Sequence, residues 1–167
     1  MNRQRIALLG STGSIGVQTL DIVRENSNLF EITTLTAHRN WQTLAAQAVE
    51  FMPDSVVIAD EQYYTSLSEA LASYPIKVYA GNEAVAQVAA DDNVDVVVNA
   101  LVGYAGLMPT VAAIKKSKKI ALANKETLVV GGEVIMKLSE QYRAPIIPID
   151  SEHSAISQCL VGEGAPV

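Results

Sequence analysis

The chain has 167 residues, a length that fits one domain able to bury most of its apolar surface without disulfides or metals. Hydrophobic residues make up 49% of it, charged residues 18% and aromatic residues only 5%, which is typical of a sheet covered on both faces by helices. The net charge of −6, with no basic cluster to offset it, argues against nucleic acids and membranes as partners, so a small-molecule partner is expected.

The sequence also bears on the cellular compartment. The single cysteine, Cys159, cannot form an internal disulfide, which suits a reducing compartment. The apolar stretch Ile6–Leu9 near the N-terminus is too short for a signal-peptide core, and no later apolar run reaches the ~20 residues of a membrane-spanning helix. These observations predict a cytoplasmic protein.

Short β-branched segments alternate with longer helical segments along the chain, which indicates a parallel sheet built from βαβ units. Strands are predicted at Ile6–Leu9, Glu31–Thr36, Ser55–Ile58, Lys77–Tyr79, Val94–Asn99, Ile120–Ala123 and Pro145–Pro148. Helices are predicted at Ser14–Glu25, Trp41–Phe51, Glu61–Ala72, Asn82–Ala89, Gly106–Lys116 and Lys125–Tyr142. The predicted fold is α/β, a doubly wound, mainly parallel Rossmann-like sheet with helices on both faces, over residues 1–150.

The first predicted strand leads into a glycine-rich turn, Gly10-Ser-Thr-Gly13-Ser-Ile-Gly16, that opens a helix. Glycine lets backbone N–H groups approach a phosphate closely, and the helix N-terminus adds a partial positive charge. The spacing is G-x-x-G-x-x-G rather than the usual G-x-G-x-x-G, but the position in the first β–α turn fits the mechanism. The turn is therefore predicted to bind a dinucleotide pyrophosphate, with an ordinary tight turn as the alternative.

The end of the second predicted strand bears on the choice of cofactor. NAD-binding sites usually carry a carboxylate there, about 20 residues beyond the glycines, but the segment Thr36-Ala-His-Arg-Asn40 has none. Arg39 can pair with a 2′-phosphate, and Asn40 can add a hydrogen bond or cap the next helix. The sequence favours NADPH over NADH; the alternative is that Arg39 is a solvated loop residue.

Asn124, Lys125 and Glu126 follow a predicted strand at the carboxyl edge of the sheet, where ligands bind. Asn124 is also a plausible helix N-cap, and Glu126 suits the positive end of the helix dipole. Lys125 opposes that dipole, which a bound anion or substrate oxygen would explain.

The last predicted strand is followed by Asp150, Ser151, Glu152 and His153. In an extended backbone Asp150 and Glu152 would point to the same side, where two carboxylates can share a divalent cation. Two carboxylates alone make a weak site, and a helix capped by Asp150 with Glu152 in its first turn is the alternative. His153 fits a capping or supporting position, and its spacing does not make it a ligand.

With these motifs in this order, the chain resembles the N-terminal part of the 1-deoxy-D-xylulose 5-phosphate reductoisomerase family, NADPH enzymes of the non-mevalonate isoprenoid pathway. The resemblance covers the whole chain. The reaction that it implies isomerises and reduces 1-deoxy-D-xylulose 5-phosphate to 2-C-methyl-D-erythritol 4-phosphate, with Mg²⁺ or Mn²⁺ as a Lewis acid. It rests on four segments: Gly10–Gly16, Ala100–Gly103 with Gly106-Leu107, Leu122–Glu126, and Pro148–Ile156.

The resemblance also implies a role for individual residues. Lys125 and Glu152 are expected to be catalytic, and both are expected to contact the sugar-phosphate substrate together with Ser151. Asp150 and Glu152 are expected to be two of the three carboxylates that bind the metal. The expected cofactor contacts are Thr12, Gly13, Ser14 and Ile15 at the pyrophosphate, His38, Arg39 and Asn40 at the 2′-phosphate, and Asn124 and Glu126 elsewhere on the cofactor.

Members of that family are more than twice as long as this chain. The third metal carboxylate, the substrate-phosphate site, the flexible lid and the dimer surface are therefore expected beyond Val167. Residues 151–167 are expected to begin the connection to a catalytic domain absent from this chain. The chain alone is expected to bind NADPH but to turn over little substrate, and the full-length protein is expected to be a homodimer.

Two other functions stay open at this point. A semialdehyde-type NADP-dependent dehydrogenase would need a nucleophilic cysteine, and Cys159 has no basic residue near it in the sequence to activate it. A non-enzymatic NADP-sensing module would leave Lys125, Asp150 and Glu152 without a role.

Overall fold

The structure, a computed structural model, describes residues 3–149 of the chain. In this part it contains seven strands and six α-helices. The strands are β1 Gln4–Leu9, β2 Phe30–Ala37, β3 Ser55–Ile58, β4 Lys77–Ala80, β5 Val96–Asn99, β6 Lys119–Leu122 and β7 Ile146–Pro148. The helices are α1 Ser14–Glu25, α2 Trp41–Phe51, α3 Tyr64–Ala70, α4 Asn82–Ala89, α5 Leu107–Lys115 and α6 Lys125–Tyr142.

The strands form one sheet in the order β4-β3-β2-β1-β5-β6-β7. Every neighbouring pair is parallel, so the carboxyl ends of all seven strands lie at the same edge. The chain runs outward from β1 to β4 and then returns to place β5 beside β1. This reversal opens a crevice at the carboxyl ends of β1 and β5, which is where ligands bind in such sheets.

The core lies in two layers, one on each face of the sheet. Alternation along β1 sends Ile6 and Leu8 to one face and Ala7 and Leu9 to the other. Apolar residues of α1, α2 and α3 pack on the first face, and those of α4, α5 and α6 on the second. Because both faces are covered, β3 and β5 are buried along their whole length. The predicted doubly wound α/β fold with helices on both faces is confirmed.

Several predicted strand and helix ends differ from the observed ones by one or two residues, as for the strand predicted at Val94–Asn99, which begins at Val96, and one predicted helix changes type at its start. The helix predicted at Glu61–Ala72 begins with a 3₁₀ helix, Glu61–Tyr63, and ends two residues early at Ala70. The side chain of Asp60 accepts a hydrogen bond from the backbone N–H of Gln62 at 3.3 Å, which favours a tight turn over a regular helix start. A second 3₁₀ helix, Gly103–Gly106, precedes α5.

Within residues 3–149, none of the helices has both the length and the apolar character needed to span a membrane.

Candidate cofactor-binding site

The glycine turn is built into the crevice between β1 and β5. Gly10 has a φ of +83°, and its N–H lies 3.1 Å from the carbonyl oxygen and 3.0 Å from the hydroxyl of Thr36. A Cβ at Gly10 would lie 2.8 Å from the carbonyl oxygen of Ala100, at the end of β5. Both the backbone angle and this close approach require glycine here.

The first turn of α1 packs directly on the glycine turn. A Cβ at Gly16 would lie 2.6 Å from Cα of Ser11, so a larger residue would push the helix away. Within the described part of the chain, no side chain caps the N-terminus of α1, and its first turn contains no acidic residue. The first backbone hydrogen bond of the helix is the one that the N–H of Val17 donates to the carbonyl oxygen of Gly13. The N–H groups of residues 14–16 belong to the first turn of α1 and have no carbonyl of the helix to donate to, which is the arrangement that binds a phosphate.

Two adjoining cavities extend along the carboxyl edge on either side of this helix end. The first has a volume of about 480 Å³ and runs from Thr12 and Gly13 past His38 to Ala59. The second, of about 260 Å³, is lined by Gly13, Ser14, Ile15, Ala123 and Glu126. Both cavities share Gly13 and residues 100–102. The structure therefore brings the glycine turn, His38 and Glu126 together in one elongated crevice, with the helix end at its middle.

Arg39 and Asn40 lie just beyond His38 and are not among the residues that line the two cavities in the described part of the chain. The side chain of Asn40 accepts a hydrogen bond from the N–H of Thr43 at 3.1 Å, so it caps α2. Arg39 is 66% exposed, and its Nε donates to Oδ2 of Asp60 at 2.9 Å. Asn40 thus takes the capping role that the sequence allowed, and Arg39 is paired with an acid.

Asn124 is held entirely by the protein. Its Oδ1 accepts from the N–H and the hydroxyl of Thr127 at 2.8 and 2.6 Å, and its Nδ2 donates to the carbonyl oxygens of Leu101 and Gly103 at 2.6 and 2.8 Å. The residue is 1% exposed. Because both amide hydrogens are used, its side chain acts by fixing the loop that lines both cavities.

Sequence reasoning missed the residues that hold the glycine turn from behind. Ser11, Thr36 and Gln47 are all buried, and Gln47 joins Ser11 to α2 through two hydrogen bonds. The signal in the sequence that could have indicated them is a polar residue at a position where the pattern of the strand or helix predicts an apolar, buried one. Thr36 is a polar residue in the buried end of β2, between two apolar residues, and Gln47 lies on the buried face of α2 beside Leu44 and Ala48.

The structure describes only some of the residues predicted to bind the substrate and the metal. Lys125 is placed by its backbone as the first residue of α6. Among residues 3–149 no three His, Cys, Asp or Glu side chains are grouped to hold a metal ion. The metal site therefore stays a prediction. The residues that lie beyond the described range are Asp150, Ser151, Glu152, His153 and Cys159.

Sequence comparison identifies relatives over the whole chain. A family model described as 1-deoxy-D-xylulose 5-phosphate reductoisomerase matches residues 6–132. Proteins of that name are 55% identical over 168 residues in Bacteroides fragilis and 55% identical over 161 residues in Porphyromonas gingivalis. These alignments cover 100% and 96% of this chain but 43% and 42% of the relatives, so the chain spans about two fifths of their length.

Solved structures give the same result. A DOX-P reductoisomerase in complex with magnesium has a TM-score of 0.93 at 41% identity, covering 97% of this chain and 41% of that one. The Zymomonas mobilis enzyme in complex with NADPH has a TM-score of 0.91 at 40% identity, covering 95% and 41%. A homoserine dehydrogenase from Thiobacillus denitrificans, at 17% identity and a TM-score of 0.59, shares the fold alone. The chain belongs to the 1-deoxy-D-xylulose 5-phosphate reductoisomerase family.

Proposed function

We propose that residues 1–150 form the NADPH-binding domain of a 1-deoxy-D-xylulose 5-phosphate reductoisomerase. The observation that carries the proposal is the uncapped N-terminus of α1, which meets the glycine turn in the middle of a two-part crevice. The intact protein would convert 1-deoxy-D-xylulose 5-phosphate to 2-C-methyl-D-erythritol 4-phosphate. Family membership leaves the semialdehyde dehydrogenase and the NADP-sensing module without support.

The two cavities suggest how the cofactor lies. Its pyrophosphate would accept hydrogen bonds from the backbone at Thr12, Gly13, Ser14 and Ile15, where the two cavities meet. The adenosine half would extend into the first cavity past His38, because His38 lines that cavity and immediately precedes Arg39 in the chain. The nicotinamide half would then occupy the second cavity beside Glu126, at the start of α6.

The strand end that normally selects NADH carries no acid here. β2 ends at Ala37 and is followed by His38, which lines the first cavity, and by Arg39. A guanidinium group binds a phosphate through two N–H groups, whereas it gains little from a ribose hydroxyl. The 2′-phosphate of NADPH would therefore gain binding energy from Arg39, with support from His38 and Asn40.

The substrate would lie next to the second cavity, at the carboxyl ends of β6 and β7. Lys125 begins α6 at that edge and would bind an anionic or carbonyl oxygen of the substrate, together with Ser151 and Glu152. Asp150 and Glu152 would hold Mg²⁺ or Mn²⁺ with a third carboxylate supplied from beyond Val167. When bound, the metal would supply Lewis-acid polarisation of the substrate carbonyl, and NADPH would supply the hydride.

The ligands found in solved structures of relatives support this assignment. The Zymomonas mobilis structure contains NADPH, and another DOX-P reductoisomerase structure, with a TM-score of 0.92, contains NADPH, fosmidomycin and magnesium. Because the chain covers about two fifths of those proteins, we propose that turnover needs the part of the protein beyond this chain. We further propose that the intact protein is a homodimer with a small sugar phosphate as its substrate.

Fluorescence titration with NADPH and NADH tests the cofactor assignment. We expect the wild type to bind NADPH more tightly than NADH. Arg39→Ala should weaken NADPH binding by about tenfold, the effect of losing a charge-assisted hydrogen bond, and leave NADH binding within about twofold.

Arg24→Ala is the matched control, because Arg24 is also an exposed arginine paired with acids, Asp21 and Glu50, but lies away from the cavities. Its affinity for both cofactors should be that of the wild type. Equal affinity of the wild-type protein for NADPH and NADH would contradict the assignment.

A further inference from the structure

The carboxylate of Asp60 contacts Arg39 on the loop that follows β2. Asp60 follows β3 by two residues, at the same sheet edge as the end of β2. Its backbone N–H donates to the carbonyl oxygen of His38 at 3.0 Å, so the two strand ends are joined at this point. The Asp60 side chain is 19% exposed, compared with 66% for that of Arg39.

The Asp60 carboxylate is fixed without any help from Arg39. Its Oδ1 accepts a hydrogen bond from the N–H of Gln62 at 3.3 Å, and its Oδ2 accepts one from Nε2 of the same residue at 2.8 Å. Partial burial alone would raise the pKa of Asp60, but the hydrogen bonds from Gln62 and Arg39 lower it below its usual value. The group is therefore a charged and anchored acceptor at neutral pH.

Arg39 meets this acceptor in a way that leaves most of its guanidinium group for other partners. The hydrogen bond of 2.9 Å is made by Nε, the nitrogen nearest the side-chain stem. Within residues 3–149 it is the one hydrogen bond that the Arg39 side chain makes. Both Nη groups therefore keep their hydrogens for a further acceptor, and two parallel N–H groups match the oxygens of a phosphate.

An arginine on an exposed loop ordinarily samples many rotamers, and this freedom is lost when it binds a ligand. A hydrogen bond at Nε fixes the plane of the guanidinium group before the ligand arrives. The side chain then loses this entropy when the protein folds, so cofactor binding does not have to include that cost. The negative charge of Asp60 opposes this gain, because it repels a phosphate nearby.

We propose that Asp60 is a specificity-determining positioning residue, which orients the guanidinium of Arg39, the residue after cavity-lining His38, so that its Nη groups receive the 2′-phosphate. This proposal rests on the proposed function, since it concerns the same cofactor site. Asp60 acts on NADPH through Arg39 and has no effect on NADH, which lacks the 2′-phosphate.

The test is a double-mutant cycle in the intact protein, with dissociation constants for NADPH and NADH measured by fluorescence titration. Asp60→Asn keeps the shape of the side chain and its capping oxygen but removes the charge. We expect it to weaken NADPH binding by about threefold to tenfold, the effect of having to immobilise one long side chain on binding, and to leave NADH binding within about twofold. In an Arg39→Ala background the same change should not weaken NADPH binding further.

Asp21→Asn is the matched control, since Asp21 also pairs with an exposed arginine, Arg24, through its Nη1, on the surface of α1 and away from the cavities. It should change neither affinity. Unchanged NADH affinity in Asp60→Asn shows that the variant is folded, so a loss of NADPH binding cannot be assigned to unfolding.

Two results separate failure of this inference from failure of the proposed function. Wild-type NADPH affinity, or tighter binding, in Asp60→Asn would overturn the inference, because charge repulsion would then outweigh orientation. The proposed function would survive that result as long as the wild type prefers NADPH and Arg39→Ala loses the preference. If the wild type binds both cofactors equally, the proposed cofactor assignment itself is wrong.

Discussion

The hydroxyl oxygen of Ser11 lies 2.7 Å from Oε1 of Gln47, and Nε2 of Gln47 donates in return to the carbonyl oxygen of Ser11 at 3.0 Å. This reciprocal pair joins the glycine turn to α2, across 36 positions of sequence. Ser11 is fully buried and Gln47 is 8% exposed. Because α2 packs firmly on the sheet, the pair fixes the backbone of the turn in the absence of a ligand.

Replacing Gln47 should therefore weaken the binding of both cofactors equally. Gln47→Met keeps the volume but leaves the buried Ser11 carbonyl oxygen without its partner, at a cost of about 1–3 kcal/mol in the free energy of unfolding. The dissociation constants of NADPH and NADH should rise by the same factor, because the pyrophosphate is common to both. Gln42→Met, at an exposed position of the same helix, should change neither quantity. A loss confined to NADPH would contradict this account.

Substitution by alanine should have opposite effects on the free energy of unfolding at Gly16 and at Gly132. In Gly16→Ala the new Cβ would meet the Gly10 carbonyl and the Ser11 backbone, which cannot give way as a flexible side chain would. We expect the free energy of unfolding to fall by about 1–3 kcal/mol and the affinity for both cofactors to fall with it.

At Gly132, inside α6, no described atom other than the nearby backbone of the same helix lies within 4 Å of an added Cβ. Gly132→Ala should raise the free energy of unfolding by about 0.5–1 kcal/mol, because alanine loses less backbone entropy on folding than glycine. Urea unfolding of both variants measures the two effects. Equal destabilisation by the two substitutions would show that the space around Gly16 is not the cause.

The positions of strands and helices could be predicted closely because local signals mark them. Asn40 and Asn124 each stand before a helical segment, and in the structure both accept a hydrogen bond from an N–H in the first turn. The apolar runs Ser55–Ile58 and Val96–Asn99 are buried over their whole length, as expected for a sheet covered on both sides. Composition and periodicity therefore define the fold class without knowledge of the strand order.

The contacts that shape the site could not be predicted in this way. Gln47 is 36 residues from Ser11, and Asp60 is 21 residues from Arg39. Each pair forms only because β1, β2 and β3 are neighbours in the sheet, and no local signal in the sequence reports that order. Arg39 could be assigned to the cofactor from the missing carboxylate after β2, but its acidic partner follows a different strand.

Asn124 should be intolerant of a change that keeps its size. Asn124→Asp can still accept from Thr127, but it cannot donate to the carbonyl oxygens of Leu101 and Gly103 and would place a buried charge against them. We expect the free energy of unfolding to fall by at least about 2 kcal/mol at neutral pH, and the loss to shrink in acid as the carboxyl group takes up a proton. NADPH affinity should fall as well, because Leu101, which Asn124 holds, lines both cavities.

Asn26→Asp provides the comparison for that change. Asn26 also donates through Nδ2 to a backbone carbonyl oxygen, that of Ile22, but at an exposed helix end. The cost there should stay below about 1 kcal/mol, because water can replace the lost hydrogen bond. Similar losses in both variants would show that burial of Asn124 does not determine its effect.

The ion pair between Arg5 and Asp95 should make stability depend on pH in acid. Hydrogen bonds from the Arg5 side chain and its N–H lower the pKa of Asp95 from its usual value of 3.8 to about 2. Because the pKa is lower in the folded state, the stabilisation is complete above pH 4 and is lost as the pH falls through about 2. Both side chains are about two-fifths exposed, so solvent screening reduces its size to about 1 kcal/mol.

Asp95→Asn should therefore lower the free energy of unfolding by about 1 kcal/mol at pH 7, and the difference from the wild type should shrink below pH 4 and be mostly lost by pH 2. Urea unfolding at a series of pH values measures this difference, in which the titration of all other groups cancels. Asp92→Asn is the control, since Asp92 is 91% exposed and lies 3.5 Å from Lys116 in a loose pair. It should match the wild type at every pH. A gap for Asp95→Asn that persists unchanged to pH 2 would mean that packing, rather than charge, joins β1 to β5 at this end of the sheet.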